Sequence, residues 1–272
     1  MRTLLSYWHL DGSMALFLIL LCLGYFYFTG FKIVKESVCF LAGFLLIIIS
    51  VASPLYFLGQ NYLMSAHMLS HVILLLIAAP FIVLGIPEAR NNKLLFKFSE
   101  NLLKFPWLTW MAGVCIMWFW HIPIVFNRLF EGNYSEVLQN IHLISLLLAG
   151  ILFSWPVIGP VKSSRMAPLN AVLYLSAACI FCSILGLLIT FSPAGIYTRY
   201  IHTADHFGFL NMIRNQRGIS AVVDRQIAGL IMWVPGCLIY LSVSMYLLMN
   251  YFKTKNEHSV LVNHNTDDGK SI

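Results

Sequence analysis

Seven apolar runs, each long enough to cross a bilayer, divide this chain at roughly 14–30, 38–59, 62–84, 107–126, 138–158, 169–191 and 226–252. The hydrocarbon core of a membrane is about 30 Å thick, which a helix of about 20 residues spans. No water is available there to satisfy an open peptide group, so runs of this length between short loops fold as helices. The expected fold is therefore all-α, a polytopic membrane protein with seven transmembrane helices. Composition excludes an ordinary soluble domain, since 59% of residues are hydrophobic and only 10% are charged. Arg2 precedes the first run as in a signal peptide, but Asp11 interrupts the approach and no small-residue cleavage site follows. The run reads as a retained span.

The net charge of +6 does not point to nucleic acid, because the basic residues lie in short loops between spans rather than on one stripe. They set orientation instead. With the N-terminus outside, Lys32, Lys35, Arg90, Lys93, Lys97, Lys104, Lys162, Arg165, Lys253, Lys255 and Lys270 fall in the cytoplasm, while Arg2, Arg128, Arg199, Arg214, Arg217 and Arg225 stay outside. This asymmetry favours N-out, C-in. The domain expected to cross the membrane is 1–255, followed by a polar cytoplasmic tail, 256–272, that shows no apolar period and reads as disordered. Segment 85–106 alternates Leu94, Leu95, Phe98, Leu102 and Leu103 with lysines, the pattern of a helix lying on the interface. The six cysteines fall in or at the edge of spans, so no disulfide framework is implied, and Cys179 and Cys182 read as small hydrophobes despite their C-x-x-C spacing.

Histidine placement carries the functional signal. Seven of the nine histidines, His9, His67, His71, His121, His142, His202 and His206, lie in or beside spans, and the N-out orientation brings all seven towards the outer surface. Ionisable groups inside a membrane are costly and mark sites or pathways. In the third span His67 and His71 are one turn apart, with Met64 and Met68 extending the stripe. Imidazole with thioether suits copper, above all Cu(I), whereas hard oxygen ligands for calcium or magnesium are nearly absent from the spans. His121, flanked by Trp118 and Trp120, and His142 are the further candidates, meeting the pair in a polar cavity open outward. The long segment 192–225 carries Tyr197, Arg199, Tyr200, His202, Asp205 and His206 and could cap such a site. Asp224 is either a helix cap or an acceptor that orients a histidine. No nucleophile elbow, Walker lysine loop or zincin motif is present, so an enzyme is not expected.

Several ordered motifs resemble the multi-spanning CtaG family of bacterial caa3-type cytochrome c oxidase assembly factors. They are Ser65-Ala66-His67-Met68-Leu69-Ser70-His71 followed by Ala79-Pro80 and Leu84-Gly85-Ile86-Pro87; Trp120-His121-Ile122-Pro123; His142 leading to Phe153-Ser154-Trp155-Pro156-Val157; and Asp224-Arg225-Gln226-Ile227-Ala228-Gly229 running on to Trp233-Val234-Pro235-Gly236. Arg225 departs from the family pattern, which has a second glutamine there. The resemblance implies a multi-pass protein of the bacterial plasma membrane that helps mature haem–copper oxidase by supporting copper delivery to its catalytic subunit. The expected partners are oxidase subunits, an extracytoplasmic copper chaperone and membrane lipid. Two rivals follow from the same histidines: a haem-binding redox or haem-modifying protein, and a metal or ion permease.

Overall fold

The computed structural model describes residues 7–88, 93–132, 134–193, 195–201, 205 and 207–268, with side chains as far as Lys255. Every regular element among them is helical. In chain order these are α1 (Gly12–Phe28), α2 (Ser37–Asn61), α3 (Met64–Gly85), α4 (Lys93–Lys104), α5 (Pro106–His121), α6 (Pro123–Arg128), α7 (Ser135–Ile158), α8 (Pro168–Phe191) and α9 (Ala221–Asp268). Five of these, α2, α3, α7, α8 and α9, are long and apolar enough to cross a membrane. The α4–α5 pair passes the same test only as one element bent by 80°, and α1 is a shorter apolar helix of 17 residues.

Prolines set the breaks. Ser53 is extended (ψ 170°) ahead of Pro54, so α2 kinks there, and His9 N–H donates to the freed Ala52 carbonyl at 3.0 Å. The run expected as a single helix over 107–126 instead ends at His121, because Pro123 drives Ile122 out of the helical region (ψ 124°) before the short α6 begins. In α3, Pro80 brings no N–H, and the preceding Ile73–Ala78 widens into a π-helical turn in which Ala79 N–H reaches back to Leu74 O. The helix α9 continues to Asp268, so the tail expected to be disordered from Asn256 begins as helical backbone. Extending a helix already nucleated by packing costs little per residue.

Helix α3 lies at the centre, packed against α2, α7 and α9. Within its central stretch 67% of residues are buried, and in α7 61%, against 39% or less in α2, α8 and α9. Tight packing needs small residues: a Cβ on Gly229 would sit 2.6 Å from Gly186 O, so α8 and α9 meet backbone to backbone. Side-chain bonds tie α1, α3, α4 and α7 together at the two ends of the bundle. Asn140 Nδ2 donates to Asp11 at 2.8 Å, joining the start of α1 to the start of α7 at the end of the bundle where His67, His121 and His142 lie. At the opposite end the Tyr25 hydroxyl donates to Gly85 O at 3.0 Å, and Trp155 Nε1 donates to Ser99 Oγ on α4 at 3.0 Å. Amphipathic α4 is thus docked at the end away from the histidines, with Leu94, Phe96 and Phe98 exposed.

Candidate functional site

His67 and His71 project from the first turns of α3 towards His142 on α7, and none of the three is more than 3% exposed. One nitrogen from each lies within 4.8 Å of the other two. The rings pack edge to face, with centroids 4.2 Å apart for His67 and His71 and 4.6 Å for His71 and His142. Four ring nitrogens, His67 Nε2, His71 Nδ1, His71 Nε2 and His142 Nε2, are buried without a hydrogen-bond partner. Unpaired buried polar atoms are rare because each forgoes its bonds to water, at a cost of about 1–3 kcal/mol. Four such atoms on three neighbouring rings, with one nitrogen from each ring within 4.8 Å of the others, mark a place built for something other than packing.

His121, at the last turn of α5, stands beside this triad with its ring 5.5 Å from that of His71. Its Nδ1 is 2.6 Å from Met117 O, and a carbonyl only accepts, so Nδ1 carries the proton. In the neutral ring the lone pair is then on Nε2, which faces Met68 Sδ at 3.1 Å. A nitrogen and a sulfur donor are thereby paired across α3 and α5. Met64, one turn earlier, is also buried and lines a small cavity of about 20 Å³ with Tyr197, Tyr200 and Arg225.

The site is sealed, not open as the sequence suggested. Phe126 of α6 lies 5.3 Å from the His67 ring, and Trp120 lies 4.8 Å from that of His142. The segment after α8 folds over them: Tyr197 OH donates to His121 O at 3.0 Å, Tyr200 OH to Gly59 O at 2.6 Å, and Arg214 Nη2 to Tyr200 O at 2.7 Å. The expected capping role of 192–225 is therefore carried by its tyrosines. Farther along, Asp205 accepts from Tyr62 OH (3.1 Å) and Leu210 N–H (3.1 Å); burial opposes the charge, but these donors hold its carboxyl below the ordinary value. His202 and His206 lie outside the described residues. On the far side of Leu143, a cavity of about 190 Å³ lined by His9, Asp11, Tyr56, Gln60 and Glu136 opens at the same end of the bundle.

Asp224 serves as a helix cap, but of α3 rather than of its own helix α9. It is 1% exposed and its carboxylate accepts from Met64 N–H at 2.7 Å and Ser65 N–H at 3.1 Å. Leu63, the residue that should cap α3, has no side chain able to do so, and α9 supplies the missing carboxylate from across the bundle. Phe126 was not singled out by sequence, where a phenylalanine among apolar residues carries no distinguishing signal.

Residues 14–254 match the family model for the cytochrome c oxidase caa3 assembly factor. The chain belongs to this family. No curated protein and no solved structure matched the chain. The family is one of assembly factors and not a class of catalysts. It fits the membrane helices described above.

Proposed function

We propose that this family member binds copper, as Cu(I), at His67, His71 and His142 and supports its delivery to the catalytic subunit of a haem–copper oxidase. The observation that carries the reading is the set of buried imidazole nitrogens, unpartnered and within 4.8 Å of one another. Copper here is cargo. A transferable ion needs a few adaptable donors rather than a closed cage of four, and His121 with Met68 offers a softer pair beside the triad for the ion's arrival or departure. His121 also lines an apolar groove of about 600 Å³ between α5 and α8, so one imidazole links the site to the flank of the bundle.

With α1 and the bent α4–α5 element counted, we take the protein to cross the plasma membrane seven times, N-out and C-in. Alternation of helix direction supports this, as does the excess of basic residues at the end that bears α4. The site then faces the side from which an extracytoplasmic chaperone would bring copper. Haem is a poorer fit, because rings in edge-to-face contact at 4.2 to 4.6 Å leave no slot for a macrocycle between them.

The test is the copper content and Cu(I) affinity of the detergent-purified protein beside a His67→Ala/His71→Ala variant, with an optical spectrum on the same samples. Bound Cu(I) in the wild type, lost in the variant and without a haem band, is the expected result. Copper bound equally by both proteins would overturn the site, and copper bound by neither would leave the protein as a scaffold for the oxidase subunit.

A further inference from the structure

At the opposite end from the histidines, the 80° turn between α4 and α5 leaves a groove of about 770 Å³ against the start of α8. Its lining changes character along its length. Arg165 and Asn170 stand at one end; Leu103, Trp107 and Trp110 form a wall, and Met111, Leu173 and Ala177 continue the apolar part. Asn170 to Ala177 covers about 10 Å of helix at 1.5 Å per residue. Leu173 is 69% exposed, so the apolar part opens on the side of the bundle that faces lipid.

We infer that this groove binds one anionic glycerophospholipid, with Arg165 on the phosphate and an acyl chain laid along Leu173 and Ala177. Charge complementarity selects this occupant. The two lysines that flank the groove are compensated, Lys104 by Glu100 at 3.4 Å and Lys162 by Glu88 at 3.3 Å, whereas Arg165 makes no ion pair among the described residues. Its Nε donates to Gly159 O at 2.7 Å, which fixes the guanidinium and leaves the terminal nitrogens to a ligand. The loop is itself held by Met166 N–H on Pro156 O at 2.7 Å, so the cation is presented on a defined backbone. A guanidinium binds a phosphodiester through two parallel N–H bonds, and an indole wall at the headgroup level suits the boundary between polar and apolar parts of a lipid. Basic pockets between helices are the recurrent form of anionic lipid site. A polar-to-apolar gradient along one groove matches a lipid and does not match free phosphate, which has no use for the apolar part.

The experiment loads the full-length protein in detergent with phosphatidylglycerol or phosphatidylcholine and counts lipid retained after washing by native mass spectrometry. Wild type is expected to keep phosphatidylglycerol in preference to phosphatidylcholine. Arg165→Gln should weaken retention of phosphatidylglycerol roughly tenfold or more, as loss of a charged hydrogen-bonded contact implies. Because Arg165 also braces its loop, Leu173→Trp provides the second variant: it fills the exposed apolar end without touching the cation and should reduce retention comparably. Equal retention of the two lipids, or unchanged phosphatidylglycerol in both variants, would overturn the proposal. Displacement of the lipid by millimolar inorganic phosphate would show that the groove recognises phosphate alone and would overturn it as well.

Discussion

Among the described residues, a buried histidine cluster and a partly buried cysteine cluster both offer metal-binding residue types, and they differ in how completely their bonds are made. Between α8 and α9 the Cys179 thiol donates to Cys237 Sγ at 3.0 Å, Ser183 Oγ donates to Cys179 O at 2.8 Å and lies 3.1 Å from Cys237 Sγ, and the Cys182 thiol donates to Met232 O at 3.2 Å. Each donor has a partner, and the two cysteines of the C-x-x-C turn to different neighbours instead of to each other. Between α3 and α7, by contrast, four imidazole nitrogens have none. Residue type alone would rank the cysteines as the better site for a soft ion. Satisfaction of hydrogen bonds reverses that ranking, because a finished cluster is part of the packing whereas an unfinished one retains the capacity to bind.

The largest effect expected from this contrast is on copper. Changing groups outside a coordination shell costs about 10–100-fold in metal affinity, so His142→Ala, which removes a ligand, should exceed that range. A Cys179→Ser/Cys237→Ser protein should bind copper within about threefold of the wild type, a change too small to signify a lost ligand. Competition titration with a Cu(I) chelator reads both. If the cysteine variant lost copper as His142→Ala does, the contrast between the clusters would be broken.

A second effect concerns the metal-free protein. Since His71 leaves both ring nitrogens unpaired in an apolar setting, His71→Leu should raise the stability of the metal-free form by about 1–3 kcal/mol while abolishing any stabilisation by added copper. Cys182→Ala, which removes a made hydrogen bond and leaves a small void, should move stability the other way. Thermal unfolding in detergent with and without Cu(I) distinguishes them. A His71→Leu protein less stable than wild type without copper would mean that the imidazole is satisfied by something in the resting molecule.

These distinctions were only partly legible in the sequence. The long apolar helices follow from hydropathy, the amphipathic α4 from its lysine spacing, and the His67–His71 pair from the helical repeat, because all three are properties of neighbours along one chain segment. His142 was a lone histidine on an apolar face, and only the packing of α7 on α3 makes it the third member. Met64, one turn from Met68 along the stripe, lines the cavity with Tyr197 and Tyr200, a contact across the fold that the helical repeat does not carry. Asp224 was ambiguous because its partners, Met64 and Ser65, are about 160 residues away, a separation at which no local pattern survives.

Asp224 provides the finest test of the contrast, since it is a fully engaged buried carboxylate lying next to the unfinished histidines. If its task is to hold the start of α3, Asp224→Ala should destabilise the fold by about 1–2 kcal/mol, the cost of a lost helix cap. Asp224→Asn keeps one carbonyl oxygen for the amides of Met64 and Ser65 and should lose less. Copper affinity should fall only modestly in both, because the ligands remain on α3 and α7 and only their support is loosened. Unfolding and Cu(I) titration on the same preparations separate the two roles. Should Asp224→Ala keep its stability yet lose copper as fully as His142→Ala, the carboxylate would be acting on the ion and not on the helix, and a satisfied hydrogen-bond network would no longer distinguish structure from site in this bundle.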